Sequence, residues 1–187
     1  MFENYEQFLE ELEMKLKNYF EFHSDYICCK EGCSKCCEVG DYPFSFLEMQ
    51  YLMHGFMQLD KQTQNIIREK IKKLKQKDTG KHFFYECPFL INNRCSVYKY
   101  RGIICRTFGL AYFISKKSDK GEPYVKLPEC IKEGLNYSKV YENGEVQVEP
   151  IKENLDTPDI INSDLAKKYN LNFGDIQSML YWFDETP

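Results

Sequence analysis

Apolar and charged residues alternate along the first twenty positions with the period of an amphipathic helix. The apolar residues recur at steps of three and four, with Glu and Lys between them: Phe2, Tyr5, Phe8, Leu9, Leu12, Leu16, Tyr19 and Phe20. This spacing puts the apolar side chains on one helical face. It predicts a first helix that ends near His23.

Two further helices are predicted before residue 78. Ser45 followed by Glu48 is a capping-box pattern, and it predicts that a helix begins at Phe46. The next helix is expected from about Asp60 to Lys77, with isoleucines and a leucine on one face. Its other face is basic, and we interpret it as a solvated surface. Asp78-Thr79-Gly80 is expected to stop it.

Short strands are predicted from about residue 83. The segments 83–91 and 95–98 are typical of two strands, joined by a turn at Asn92-Asn93-Arg94. Residues 100–108 indicate a compact helical turn. Two more strands are expected at 110–115 and 124–127, joined through the polar stretch around 119–121. Two short helices, broken around 170–174, are expected in the tail, which Trp182 would dock onto the body.

The predicted fold class is therefore α+β, a helix-rich single domain with short strands around an irregular cysteine-liganded metal core. We expect one domain over 1–187, a metal-binding core at 29–130, and a C-terminal helical pair at 161–184 packed on that core. A chain of 187 residues suits one domain.

Composition and charge exclude several function classes. No apolar run reaches eighteen residues, so no transmembrane helix and no membrane partner are expected. The N-terminus lacks the pattern of a signal peptide, which predicts a cytoplasmic protein. The net charge of −4 argues against a nucleic-acid partner. Another protein is the partner class that stays open, and the sequence sets no oligomeric state.

Nine cysteines carry the chemical information. Five of them fall within the polar segment 28–37, and the remaining four are Cys87, Cys95, Cys105 and Cys130. The count is odd, and clustered cysteines in a cytosolic chain favour metal binding or catalysis over disulfides. Eight thiols suffice for two four-thiolate sites, or for an iron–sulfur cluster with or without a second metal. Because neighbouring side chains on a strand point apart, Cys36 and Cys37 are expected to serve two different sites.

Other residues are candidates for smaller roles. His23, His54 and His82 could act as ligands, but we interpret them as ordinary residues because thiols already fill both sites. Glu38 and Asp41 stay open as replacements for a thiol. Arg106, next to Cys105, is expected to make a structural ion pair.

The cysteine spacing resembles that of the YkgJ-type cysteine-cluster family. The resemblance rests on Cys29-x3-Cys33-x2-Cys36-Cys37, on the run from Cys87-Pro88-Phe89-Leu90 to Cys95-Ser96-Val97-Tyr98, and on Arg101, Cys105-Arg106 and Cys130. The family is described as zinc- or iron-chelating. The resemblance implies eight metal ligands: Cys29, Cys33, Cys36, Cys37, Cys87, Cys95, Cys105 and Cys130. Cys28 falls outside the pattern, and Gly102 and Ile131 stand where the family often has proline.

Several functions stay open at this point. The first is a metal-binding protein whose zinc or iron–sulfur centres are structural. A related cysteine cluster occurs in flagellin lysine N-methylases, so the resemblance also implies an S-adenosylmethionine-dependent or iron–sulfur redox enzyme. A third function is metal storage or delivery. No catalytic residue is assigned.

Overall fold

The structure is a computed structural model that describes residues 2–30, 32–78, 83–114 and 123–185. Helices make up about half of the chain, and the strands are short and pair antiparallel in small sheets. The helix-rich α+β prediction is therefore confirmed. His82, the expected helix stop at Thr79-Gly80 and the connection around 119–121 lie outside the described residues.

The elements follow one another as mixed helices and strands. The helices are α1 (Glu3–Phe22), α2 (Lys35–Glu38), α3 (Phe46–Phe56), α4 (Lys61–Lys75), α5 (Ile103–Thr107), α6 (Thr157–Ile161), α7 (Asp164–Lys168) and α8 (Met179–Glu185). The strands are β1 (Pro43–Ser45), β2 (Leu90–Ile91), β3 (Arg94–Cys95), β4 (Tyr112–Ile114), β5 (Tyr124–Lys126), β6 (Tyr141–Glu142), β7 (Glu145–Val146) and β8 (Ile176–Ser178). Helices α1, α3, α4 and α5 lie close to their predicted positions.

The chain divides into two compact units. The first unit is Met1–Lys30 with Arg106–Leu171, and the second is Glu31–Cys105 with Asn172–Pro187. The expectation of one domain over 1–187, with its core at 29–130 and a packed helical pair at 161–184, stays a prediction.

The first unit is built on α1 and on the β4–β5 hairpin. The apolar stripe of α1 is buried, as its spacing predicts: Tyr5, Phe8, Leu9, Leu12 and Leu16. His23 is also buried, and its ring contacts the hydroxyl of Tyr137 at 2.7 Å and the carbonyl of Glu149 at 3.2 Å. The Tyr137 hydroxyl accepts the backbone N–H of Ala111. These contacts give His23 a structural role in the first unit, and the expectation that it is not a ligand stays a prediction.

The second unit is built on α3, α4, α8 and the β1–β8 pair. Ser45 caps α3 through the complete capping box with Glu48, which confirms the sequence prediction. Trp182 is buried, and its indole N–H donates to the Phe44 carbonyl at 2.8 Å. This bond fixes α8 beside β1.

The tail differs from its predicted form. Residues 174–180 were expected to be helical, but Ile176–Ser178 is a strand that pairs with Pro43–Ser45, and the helix begins at Met179. Short apolar runs do not distinguish strand from helix by their spacing alone. Here the antiparallel pairing with β1 holds Ile176–Ser178 in a strand.

The predicted hairpin is shorter than expected. Pairing joins only Leu90–Ile91 to Arg94–Cys95 across Asn92 and Asn93, which both have positive φ. Asparagine tolerates this conformation, which a two-residue hairpin turn requires. The residues before Leu90 pair with a different partner, the segment after α2.

Candidate metal centre

Cys36 and Cys37 lie on helix α2, and not on a strand. Their sulfur atoms are 3.8 Å apart. The expectation that these two thiols point apart is therefore wrong, because consecutive helical side chains are separated by only about 100° around the axis. A four-thiolate zinc site with bonds of about 2.3 Å has sulfur–sulfur edges of about 3.8 Å. The pair therefore has a spacing that one metal centre accepts.

Cys87 is brought to this pair by backbone pairing. Gly40 and Tyr85 exchange two backbone hydrogen bonds, and the Cys87 N–H donates to the Cys37 carbonyl at 2.8 Å. The buried Tyr42 reinforces the contact, since its hydroxyl donates to the Cys36 carbonyl at 3.2 Å. Main-chain hydrogen bonds thus place Cys87 beside the Cys36–Cys37 pair.

Cys95 and Cys105 are held by the β2–β3 hairpin and by α5. Cys95 pairs with Leu90 across the hairpin. One carboxylate oxygen of the buried Glu48 accepts the Ile103 N–H at 2.7 Å, at the start of α5. The other accepts the Ser45 N–H at 2.8 Å. Glu48 therefore ties the first turn of α5, and with it Cys105, to the start of α3.

Gly102 is required at the entry to α5. A Cβ atom on this residue would lie 2.6 Å from the Phe44 ring and 3.1 Å from the Glu48 carboxylate. Such contacts would push α5 away from α3. The glycine that replaces the proline often found in the resembled family is thus explained by close packing.

Four of these thiols interact electrostatically with one another. Burial and the charges of Cys105, Cys95 and Cys36 raise the pKa of Cys87. Burial and the charges of Cys95 and Cys36 raise the pKa of Cys105 to about 12. Burial, together with the charge of Cys36, raises the pKa of Cys95. Each of the four therefore lies within electrostatic range of the other three.

Backbone N–H donors and the charge of Arg101 act against these increases in pKa. The backbone N–H of Phe89 hydrogen-bonds Cys87, and that of Val97 hydrogen-bonds Cys95, which lowers each pKa. In both cases the donor lies two residues after the cysteine. The charge of Arg101 acts in the same direction on the pKa of Cys95 and of Cys105. These donors are suited to stabilising thiolates.

Arg101 is held in place by its own neighbour. Its guanidinium lies 3.9 Å from the centre of the Tyr98 ring, and it donates to the Tyr98 carbonyl at 2.8 Å. This fixed cation lies where thiolate charge would accumulate. Arg106, by contrast, is buried and forms an ion pair with Glu13 in the first unit, which confirms the expected structural pairing.

The remaining predicted ligands are Cys33, Cys29 and Cys130. Cys33 is exposed in the loop before α2. Cys29 and Cys130 belong to the first unit, where Cys29 is exposed and Cys130 is buried. The Cys29 sulfur accepts a hydrogen bond from the Asn136 amide at 3.1 Å. Asn136 also bonds the Cys28 N–H and the Gly109 carbonyl.

Two residues in this arrangement have no signal in the sequence. Asn136 lies more than one hundred positions from Cys29, outside any motif. Tyr42 is one of fourteen tyrosines, and nothing in its neighbours marks it. By contrast, the capping-box pattern did single out Glu48.

Glu38, one of the two carboxylates that were open as substitutes for a thiol, has other interactions. Both oxygens of Glu38 are hydrogen-bonded, one to the Ser34 hydroxyl and the other to Lys35, each at 2.8 Å. His54 contacts the Gln58 amide at 2.9 Å. Among the residues that the structure describes, no three Cys, His, Asp or Glu side chains form a group that could hold a metal ion as they stand.

Comparison with known families identifies the class of protein. The profile of the CxxCxxCC family, described as "Putative zinc- or iron-chelating domain", matches residues 28–141, which is more than half of the chain. The chain belongs to this family. No curated protein and no solved structure gives a significant match. None of the helices in the described ranges has the length and apolar character needed to cross a membrane.

Proposed function

We propose that the second unit holds one metal ion, zinc, through the thiolates of Cys36, Cys87, Cys95 and Cys105, and that this metal is structural. The observation that carries the proposal is the mutual proximity of these four buried or half-buried thiols. Four thiolates satisfy tetrahedral zinc and leave no open position, which is the arrangement of a structural site.

The chemistry of the donor set supports a soft metal. Sulfur ligands favour zinc and iron–sulfur clusters over magnesium or calcium. Backbone N–H groups already point at Cys87 and Cys95, and Arg101 offsets part of the negative charge. Metal-binding sites commonly carry such supporting donors around their ligands. The proposal requires side-chain rotations that bring the four sulfurs around one ion.

The same four cysteines support a second candidate, an iron–sulfur cluster. Clusters also use four cysteine ligands, and Cys37 provides a further thiol next to Cys36. Such a centre would supply electron-transfer chemistry. The ligand roles of Cys29, Cys33 and Cys130, a second site, the methylase-like activity and the storage function stay predictions.

Metal content of variants tests the proposal. Protein purified without oxygen should be colourless and contain zinc, and Cys95→Ser should lose about one zinc per chain. Cys28→Ser is the matched control, since Cys28 lies outside the ligand set, and it should retain all of its metal. Equal zinc in wild type and Cys95→Ser would contradict the proposal. Brown protein containing iron and sulfide would replace it with the second candidate.

A further inference from the structure

An apolar groove with a basic edge lies within the second unit, on the side of α4. Its volume is about 540 Å³, and its floor is formed by Met53, Phe56, Ile71, Phe89 and Phe183. Ligand pockets in proteins usually measure about 300–1,000 Å³ and have mainly hydrophobic and aromatic linings. The groove therefore has the size and surface of a small-molecule site.

The basic edge comes from one stripe of α4. Arg68, Lys72 and Lys75 line the groove, and they recur at steps of four and three, which places them on one helical face. The Arg68 guanidinium lies 5.1 Å from the centre of the Phe56 ring, directly above the apolar floor. The described lining contains these three cations and no carboxylate, although the whole chain has a net charge of −4.

The other basic residues of α4 have different surroundings. Lys70 forms an ion pair with Glu86 and donates to the Leu90 carbonyl. Lys73 is exposed and is not part of the groove lining. The basic face that we interpreted as uniformly solvated is thus divided, and only part of it borders an apolar surface.

We propose that this groove binds a small anionic amphiphile, a carboxylate with an alkyl chain. The chain would cover the phenylalanine and methionine floor, and the carboxylate would meet Arg68 and Lys72. Charge complementarity selects an anion, because three cations and an apolar floor disfavour a neutral or cationic headgroup. The lining from Arg68 to Gln76 extends about 12 Å along α4, which matches a medium-length chain and not an extended protein interface.

Calorimetric titration with dodecanoate below its micelle-forming concentration tests this site. We expect saturable binding of one molecule per chain, and shortening the ligand by two carbons should weaken it by about tenfold. Dodecanol and dodecyltrimethylammonium should bind at least about tenfold more weakly than dodecanoate.

Two adjacent lysines provide a matched pair of variants. Lys72→Glu should weaken dodecanoate binding by about tenfold or more, while Lys73→Glu, with the same change in net charge, should alter it by less than about twofold. Both side chains are exposed, so neither change should unfold the protein.

Several results would overturn the proposal. These are no saturable binding of dodecanoate, equal binding of the neutral alcohol, or equal effects of the two variants. The proposal would also fail if only anionic vesicles or an acidic amphipathic peptide bound. Self-association that is abolished by Lys72→Glu and competes with dodecanoate would assign the groove to a second copy of the chain.

Discussion

The cysteines of the two units are held by different kinds of interaction. In the second unit, Cys36, Cys87, Cys95 and Cys105 lie within electrostatic range of one another. Burial and the neighbouring thiols oppose the ionisation of Cys87, Cys95 and Cys105, and the hydrogen bond with Cys37 opposes that of Cys36. In the first unit, Cys29 is exposed and receives a neutral hydrogen bond from Asn136. A group of thiolates needs a cation to be stable, whereas a thiol with an amide donor does not. Metal dependence should therefore concentrate in the second unit.

Removal of the metal is the strongest test of this difference between the two units. Strong chelation should lower the free energy of unfolding of the second unit by at least about 3 kcal/mol, because metal binding there contributes to folding. Hydrogen exchange should show the loss at the amides of Cys87, Leu90 and Ser96, which donate the hydrogen bonds around the hairpin. The amides of α1 in the first unit are the internal control and should keep their protection. Equal loss in both units would contradict the distinction.

Glu48→Ala should produce the next largest effect. The substitution leaves the Ser45 and Ile103 N–H groups without their buried acceptor. We expect the free energy of unfolding to fall by about 2–4 kcal/mol in urea denaturation. Glu129→Ala is the control, since that carboxylate is exposed and pairs with Lys132 in the same turn. Equal stability of the two variants would show that Glu48 does not hold α5.

Asn136→Ala should destabilise the first unit with little effect on the metal of the second. It removes hydrogen bonds to the Cys28 N–H, the Cys29 sulfur and the Gly109 carbonyl. A decrease of about 2–3 kcal/mol is expected, because the Cys28 N–H and the Gly109 carbonyl lose their partner. Asn162→Ala, which loses one exposed bond to Pro158, should have a smaller effect. A loss of metal as large as that of Cys95→Ser would make Cys29 part of the same centre.

The features that could be predicted from the sequence are local ones. The apolar steps of α1 and the capping box of α3 involve residues within one or two helical turns. The cysteine spacing likewise identified the family, because that spacing is itself a local pattern. The Asn92-Asn93 turn was recognised, although the strands beside it are only two residues long.

The arrangement of the thiols depends on contacts that are distant in sequence. The Glu48 bond to Ile103 spans 55 positions, and the Asn136 bond to Cys29 spans 107. No spacing rule encodes such pairs. The error at Cys36 and Cys37 has a different, local origin, because a short helix at α2 brings together two neighbouring sulfurs that a strand would separate.

Acidification should lower the stability of the first unit through His23. We expect this effect to be smaller than those of metal removal, Glu48→Ala and Asn136→Ala. Burial lowers the pKa of His23 below its usual value of 6.5. The unfolded chain therefore binds a proton at His23 at a higher pH than the folded unit does. The stabilisation is fully present above about pH 6.5 and is lost as the pH falls below that value. We expect a modest decrease in the midpoint of urea unfolding between about pH 6.5 and pH 5, smaller than that caused by Asn136→Ala.

Two residues that contact His23 have pKa values shifted away from this window. Burial raises the pKa of Tyr137 to about 12, and Lys152 lowers the pKa of the Glu149 carboxyl below 4.5. The rings of Phe22 and Tyr26 also pack against His23. His23→Gln keeps a hydrogen-bonding side chain without a titrating ring, so its unfolding midpoint should change less over the same pH range. An identical pH dependence in wild type and His23→Gln would assign the effect to other groups. The neutral form of His23 would then not contribute to the stability of the first unit.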